Sequence, residues 1–227
     1  MEPPVIGAAL TLAELPGHLD WLLERDRDLE LQDFCEPGPL PGDWRDIVAS
    51  ARRTLGGWKG RLGIHGPFYG FDLATRDAGV RAIARKRLDE RLELCASIGA
   101  RWMVIHSPVR AWDHFNRFNW PDAEDRLSEA FVECVGSAVR RAEVLGVSPV
   151  LENVEDVVPD DRLRLCAAVG SPALGQSIDT GHAHYAHSVS GRPPVDYWIR
   201  VAGAALAHVH LQDSDGRADR HWPPGEG

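Results

Sequence analysis

The stretch HVHLQDSDGRADRHW at residues 208–222 contains three histidines, three aspartates and two arginines. Its first residues, His208 to Leu211, alternate polar and apolar side chains, as a strand with one buried face does. The remainder has the composition of a loop. A solvated loop has no need of imidazole side chains, so metal-capable groups at and beyond a strand end indicate a functional site. The fold then depends on whether other strands end in the same way.

Six further segments have the short, apolar character of strands. The seven predicted strands span residues 5–10, 29–34, 61–65, 101–106, 147–152, 173–179 and 207–212. Helical patterns lie between them, and the two clearest carry apolar faces from Val80 to Ile98 and from Leu127 to Leu145, each followed by glycine. Short apolar strands that alternate with helices predict a parallel sheet covered by helices.

Ligand-type side chains stand at or just beyond the C-terminal ends of five of these strands, namely His65, His106, Glu152, Asp179 and His210. In an eight-stranded barrel those ends converge on one mouth, where active sites form. An open doubly wound sheet would concentrate them at one switch point instead. The sequence therefore predicts an α/β fold, a (β/α)8 TIM barrel, as a single domain over residues 1–227.

The eighth strand of such a barrel is apparently missing from this chain. The final residues, 223–227, read PPGEG, which is a turn-like stretch. Seven strands leave the first and seventh with unpaired edges in a fold that normally abolishes them. We therefore expect a C-terminally incomplete barrel, open between its first and seventh strands.

The composition predicts a cytoplasmic protein with a sizeable core. Hydrophobic residues make up 44% of the 227, and no stretch approaches the roughly 18 apolar residues of a membrane helix. The N-terminus lacks the basic start of a secretory signal. The four cysteines contain no C-x-x-C pair, which favours reduced, mostly buried thiols at Cys35, Cys95, Cys134 and Cys166.

The charge balance favours a small-molecule substrate. The formal net charge of −9 opposes a nucleic-acid partner, although local basic loops could still bind one. No membrane partner is expected.

The candidate metal ligands combine imidazoles and carboxylates: His65, His106, Glu152, Asp179, His182, His210, Asp219 and His221. Such a set suits zinc, manganese or iron better than calcium. Eight candidates exceed the needs of one ion, so either several ions bind or some of these residues hold substrate. We expect one to three divalent ions per chain, with zinc or manganese favoured.

Individual residues keep simpler interpretations. Glu152, in LENVED, faces the predicted mouth, where an unpaired charge is costly; alone, it could equally be a salt-bridged structural carboxylate. His182 lies three residues after Asp179, although isolated loop histidines are usually surface residues. His208 should point the same way as His210 and competes with it for the ligand role, unless it packs against a helix.

Two loops and one arginine are candidates for substrate contact. The loop SPVRAWDHFNRFNWPD, residues 107–122, offers Trp112 in a lid that stacks on a sugar ring or base, or else is a long loop anchored by its own aromatics. The loop GPFYGFDLATRD, residues 66–77, offers Phe68. Arg217, beyond the seventh strand, is the third predicted substrate contact.

The segments HGPFYGFDLA, VIHSP, LEN, IDTGHA, HVHLQDSDGRADRH and PPGEG resemble, in order and spacing, the xylose isomerase-like barrel superfamily. This group contains sugar phosphate isomerases and epimerases, inosose dehydratases and endonuclease IV. The resemblance runs from about residue 60 to the end. It is specific for the fold and the metal site and weakly specific for the substrate.

The resemblance implies one of two ligand sets. In the endonuclease IV pattern three ions are held by His65, His106 and Glu152; by Glu152, Asp179 and His210; and by His182, Asp219 and His221.

In the epimerase pattern Glu152, Asp179 and His210 bind one ion and His182 contacts substrate. Both patterns require a further glutamate on the eighth strand, a position that Glu226 does not occupy.

Three functions follow as hypotheses. The first is a metal-dependent isomerase or epimerase of a sugar, sugar phosphate or related polyhydroxylated compound. An ion polarises a carbonyl, Glu152 transfers the neighbouring proton with help from the eighth-strand glutamate, and His182 assists. The second is an endonuclease IV-like zinc phosphodiesterase acting on abasic DNA. The third is a barrel that binds a metal or sugar without turnover.

Overall fold

A computed structural model describes residues 5–227 as strands alternating with helices. The strands are β1 (Ala8–Leu10), β2 (Leu29–Leu31), β3 (Leu62–His65), β4 (Trp102–His106), β5 (Ser148–Glu152), β6 (Gly175–Asp179) and β7 (Leu206–His210). The helices are α1 (Leu15–Glu24), α2 (Trp44–Thr54), α3 (Ala78–Ile98), α4 (Ala111–Asn116), α5 (Ala123–Leu145), α6 (Pro159–Val169), α7 (Thr180–Ser190) and α8 (Val195–Ala202).

The strands form one seven-stranded sheet in which each pairs in parallel with the next along the chain. This is the predicted TIM-barrel order. The register aligns His106 with Glu152 and Asp179 with His210, so the polar strand ends meet at one edge of the sheet. Within the described residues β1 and β7 form the two ends of the sheet and do not pair with each other, as predicted.

The core lies between the sheet and its helices. The two helices with the clearest predicted apolar faces, α3 and α5, both contribute residues to this core. Both helices end at the predicted glycines, since Gly99 and Gly146 adopt positive φ values of 83° and 67°. The sequence pattern puts Val80 on the buried face of α3, but this residue is 49% exposed, because it lies in the first turn, away from the sheet.

The sequence predicts reduced, mostly buried cysteines, and no disulfide joins them in the structure. All four are free, with Cys95 and Cys134 buried and Cys35 and Cys166 partly buried. Burial raises the pKa of the Cys134 and Cys166 thiols to about 11, so these thiols stay protonated at neutral pH.

Residues 107–122 are more ordered than a loop. They contain α4 and a following single 3-10 turn, and the imidazole of His114 is buried with its Nδ1 2.9 Å from Asp161 Oδ2. The segment is thus anchored by a histidine–aspartate pair and not by its own aromatic residues, since Trp112, Phe115, Phe118 and Trp120 are all exposed.

The chain beyond β7 is held as a compact loop. Asp213 and Trp222 exchange backbone hydrogen bonds in an antiparallel bridge, and the Asp213 carboxylate accepts from the backbone N–H of Ser214 and of Gly225. This loop brings Asp219 back towards the sheet. Among residues 5–227 no helix has both the length and the apolar character that a membrane crossing requires.

Candidate metal centre and active site

Glu152 lies at the centre of the converging strand ends. It ends β5, is 1% exposed, and has histidines on both sides. Its Oε1 is 3.7 Å from His106 Nε2, and its Oε2 is 2.5 Å from His210 Nδ1. The Ser177 hydroxyl on the neighbouring strand also donates to Oε2, at 3.2 Å. Each of these four residues lies on a different strand of the sheet.

The first group that could hold an ion consists of His65, His106 and Glu152, whose ligand atoms lie within 4.8 Å of one another. His65 Nδ1 donates to the carbonyl of Gly66 at 2.9 Å, which leaves Nε2 as its free nitrogen. Phe68 covers this group, because its ring is stacked on His106 with centroids 4.5 Å apart.

Asp179 and His182 form the second side of the centre. Asp179 ends β6 and caps α7, since its Oδ1 accepts the backbone N–H of His182 at 2.8 Å. Glu152, Asp179 and His182 offer ligand atoms within 4.8 Å of one another. Asp179 Oδ2 is also 4.0 Å from His210 Nδ1. The strand-to-helix corner therefore positions two candidate ligands at once.

His182 also belongs to a third, more exposed group with Asp219 and His221, again within 4.8 Å. Its Nδ1 donates to the carbonyl of Asn153 at 2.7 Å, and its Nε2 is 3.4 Å from Asp219 Oδ2. Gln212 joins the groups, because its amide donates both to Asp179 and to Asp219.

The electrostatics of these groups depend on one another. Burial would raise the pKa of Glu152, but His210 and then His65 and His106 lower it to about 2. Burial and the neighbouring charge of His65 lower the pKa of His106 to about 3. Burial opposes the charged form of His182, yet the hydrogen bond to Asp219 and the charge of Asp179 raise its pKa to about 9.

These pKa shifts give His106 and His182 opposite protonation states. At neutral pH His106 is neutral and already suited to bind a cation, whereas His182 carries a proton that a cation would displace.

Glu30 is a site residue that the sequence prediction missed. It lies in β2, is 4% exposed, and contacts the histidines of β7, which lie at the far end of the sheet. Burial would raise its pKa, but His210 and His208 hold that pKa well below its usual range. The signal in the sequence was a charged residue between two leucines of an apolar strand.

His208 points to the same side as His210, as strand alternation predicts, and their ring centroids are 4.7 Å apart. It does not pack against a helix. Its Nδ1 is 2.9 Å from the Ser177 hydroxyl and its Nε2 is 3.3 Å from Glu30 Oε2.

A buried arginine fixes the strands that carry the site. Arg162 donates to the carbonyls of Leu151 and Ser177, at 2.9 and 2.5 Å, and its Nε is 3.2 Å from Asp156 Oδ1. It lies behind Glu152 and holds the ends of β5 and β6 at a fixed spacing.

A cavity of about 490 Å³ opens beside the third group. Its lining includes Phe115, His182, Tyr185, Arg217 and Asp219. Arg217, a predicted substrate contact, thus lines this cavity.

Trp112 does not line this cavity. It is 74% exposed on α4, whereas its helix neighbours Ala111 and Phe115 face the cavity. Positions i and i+4 of a helix share a face, so Trp112 at i+1 turns towards solvent.

Comparison with known proteins finds a matching family and several similar structures. The sequence model of a family described as the xylose isomerase-like TIM barrel matches residues 30–227. A structure of the TTHB071 protein from Thermus thermophilus, soaked with ZnCl2, is 29% identical, with a TM-score of 0.74, covering 99% of this chain and 84% of that one. A D-tagatose 3-epimerase-like protein, 19% identical over 99% of this chain and 82% of its own, has the same fold with a TM-score of 0.72.

Among curated proteins, fructoselysine 3-epimerase of Escherichia coli O157:H7 is 36% identical over 165 residues, which are 70% of this chain. An uncharacterized protein of Methanocaldococcus jannaschii is 24% identical over 174 residues, or 72% of this chain. In both cases the match covers 55% of the relative's length.

Proposed function

The chain belongs to the xylose isomerase-like TIM barrel family, and on that premise we propose that it is a metal-dependent isomerase or epimerase of a sugar or related polyhydroxylated compound. The observation that carries the proposal is the convergence of Glu152, Asp179 and His210 at the C-terminal edge of the sheet, with Glu152 almost fully buried. The similarity to proteins named as sugar epimerases supports the substrate class.

The donor set fits a divalent cation. Buried carboxylates are costly unless they are paired with positive charge. Within residues 5–227, the charged partners that contact Glu152 and Asp179 are histidines, with no lysine or arginine at either carboxylate. Mixed imidazole and carboxylate ligands suit zinc or manganese. Glu152, Asp179 and His210 would hold the ion, which supplies polarisation of a substrate carbonyl and its neighbouring hydroxyl.

Glu152 supplies one base. It is ionised at neutral pH, and one of its oxygens can accept the proton on one face of the carbon beside the carbonyl. Inversion needs a proton delivered to the opposite face, which is the role that the family resemblance gives to the eighth-strand glutamate. His182 and Arg217 line the cavity beside the third group, where they can bind hydroxyl or carbonyl oxygens. Phe68 stacks on His106 and limits access of water to that histidine.

Deuterium exchange tests this function directly. The metal-loaded full chain is incubated in D2O with fructoselysine, D-tagatose or D-fructose, and the carbon next to the carbonyl is followed by NMR. We expect deuterium at that carbon, and loss of the exchange after removal of the metal. Absence of exchange with all three compounds in protein that binds the metal would contradict the proposal.

A second candidate is a three-metal phosphodiesterase acting on abasic DNA. The observation that favours it is the third group, in which His182, Asp219 and His221 lie close enough to share an ion. The net charge of −9 opposes it, because phosphate contacts supply most of the affinity for DNA. We expect weak, strongly salt-sensitive binding to an abasic duplex. Selective cleavage of that duplex at physiological salt would instead favour the phosphodiesterase.

A further inference from the structure

The imidazole of His210 has two different nitrogen environments. Its Nδ1 faces the proposed metal ligands, at 2.5 Å from Glu152 Oε2 and 4.0 Å from Asp179 Oδ2. Its Nε2 points the other way, to Glu30 Oε1 at 3.0 Å. Both nitrogens therefore face carboxylates, which accept hydrogen bonds. An ion held by Glu152 and Asp179 would take the place of the proton on Nδ1, whereas Nε2 would keep its proton and donate it to Glu30.

Four hydrogen-bond donors surround the Glu30 carboxylate. Its Oε1 accepts from Gln32 Nε2 at 2.8 Å as well as from His210. Its Oε2 accepts from Trp102 Nε1 at 3.2 Å and lies 3.3 Å from His208 Nε2. Four donors, two at each oxygen, match the capacity of an ionised carboxylate. Glu30, His208 and His210 also lie close enough to share an ion, but the four donors around Glu30 favour a supporting role for this carboxylate over direct ligation.

We propose that Glu30 is a positioning residue that sets the tautomer and ring orientation of His210 for metal binding. The inference rests on the proposed function, because it takes His210 as a ligand. A histidine that binds a metal through one nitrogen typically donates its other N–H to a carboxylate or carbonyl, which fixes the ring and raises its basicity.

The same carboxylate reaches the centre by a second route. His208, which Glu30 also holds, contacts the hydroxyl of Ser177, and Ser177 donates to Glu152. Glu30 thus supports two of the proposed ligands from beneath, His210 directly and Glu152 through two side chains. It does so from β2, while His208 and His210 lie on β7.

Affinity for Zn2+ tests the proposal, measured by competition with a fluorescent chelator. Glu30→Gln keeps the side-chain size but removes the charge and half of the acceptor capacity, so the affinity should fall by about 10–100-fold. Glu30→Asp retains the carboxylate and should lose less. Glu36→Gln removes a charge from an exposed position five residues beyond β2 and is the matched control, with no change expected.

A measurement on the unsubstituted chain makes the test independent of how the variants fold. With 15N-labelled histidine and bound Zn2+, NMR should show His210 protonated at Nε2 and bound through Nδ1. Protonation at Nδ1 would overturn the inference. So would unchanged Zn2+ affinity in Glu30→Gln.

The variant His210→Ala separates this inference from the proposed function. If His210→Ala binds Zn2+ weakly and Glu30→Gln binds it normally, only the role of Glu30 is wrong. If His210→Ala binds Zn2+ with full affinity, the proposed metal centre itself is wrong.

Discussion

At the scale of single residues, the proposed function gives Glu152 the roles of both ligand and base. Its two oxygens face different histidines, His106 on one side and His210 on the other, so one oxygen can contact an ion while the other remains open to a proton. Few residue types could replace it, because the position is buried and its neighbours are arranged around a negative charge. The chemistry and the electrostatics of the centre therefore depend on the same carboxylate.

Glu152→Gln should abolish proton transfer while part of the metal is retained. The amide keeps the size and a hydrogen-bonding oxygen, but it cannot accept a proton, so deuterium exchange should fall by about 10²-fold or more. Metal content by elemental analysis should fall less steeply. Glu129→Gln, at an exposed position of α5, is the matched control and should leave both unchanged. Exchange at the normal rate in Glu152→Gln would assign the base elsewhere.

The difference between Glu152 and Glu30 shows what a sequence can predict about a site. Glu152 stands at a visible strand end, where the fold itself predicts that polar groups converge. Glu30 makes its contact with His210 across 180 positions of the chain, and only the tertiary fold brings the two together. A charged residue inside an apolar strand signals that a buried partner exists, but the strand does not identify the partner.

At the scale of elements, strand and helix patterns predicted the order of the sheet, and local packing set the exact bounds. The predicted strand 5–10 begins only at Ala8, and the strand predicted at 207–212 ends at His210. Residues 107–122, predicted as a loop, contain α4, and His114 of this helix pairs with Asp161 on α6, far along the chain. Periodicity does not report such contacts.

Close packing between β3 and β4 gives a prediction at this scale. A Cβ added at Gly63 would overlap the indole of Trp102, the side chain that donates to Glu30. Gly63→Ala should therefore lower the free energy of unfolding by about 1–3 kcal/mol. Gly17→Ala, in α1 with no atom within 4 Å of the added carbon, should leave stability unchanged or raise it by about 0.5–1 kcal/mol. Urea unfolding measures the stability of both variants. A Gly63→Ala variant as stable as the unsubstituted chain would show that Trp102 moves aside at no cost.

At the scale of the whole molecule, side-chain contacts connect strands that backbone hydrogen bonds do not pair. The backbone ladder runs from β1 to β7, and the described residues contain no pairing between these two strands. Glu30 on β2 nevertheless contacts His208 and His210 on β7, so a polar layer links the two sides of the sheet beneath the mouth. The mouth above that layer carries three groups that could each hold an ion. How many ions bind per chain decides between the two chemistries.

The number of ions per chain is therefore the decisive quantity, and the ion content of the variants Asp219→Ala and His221→Ala tests it. Both residues belong to the exposed third group and to neither of the two buried groups. If the protein is a one-metal epimerase, as we propose, each variant should keep the ion content of the unsubstituted chain and lose turnover only moderately, through the cavity that Asp219 lines. His18→Ala, at an exposed position of α1, controls for loss of a surface imidazole. In a three-metal phosphodiesterase each variant would instead lose one ion per chain together with all activity. Elemental analysis, with turnover measured on the same samples, distinguishes these results, and loss of an ion in either variant would contradict the one-metal proposal.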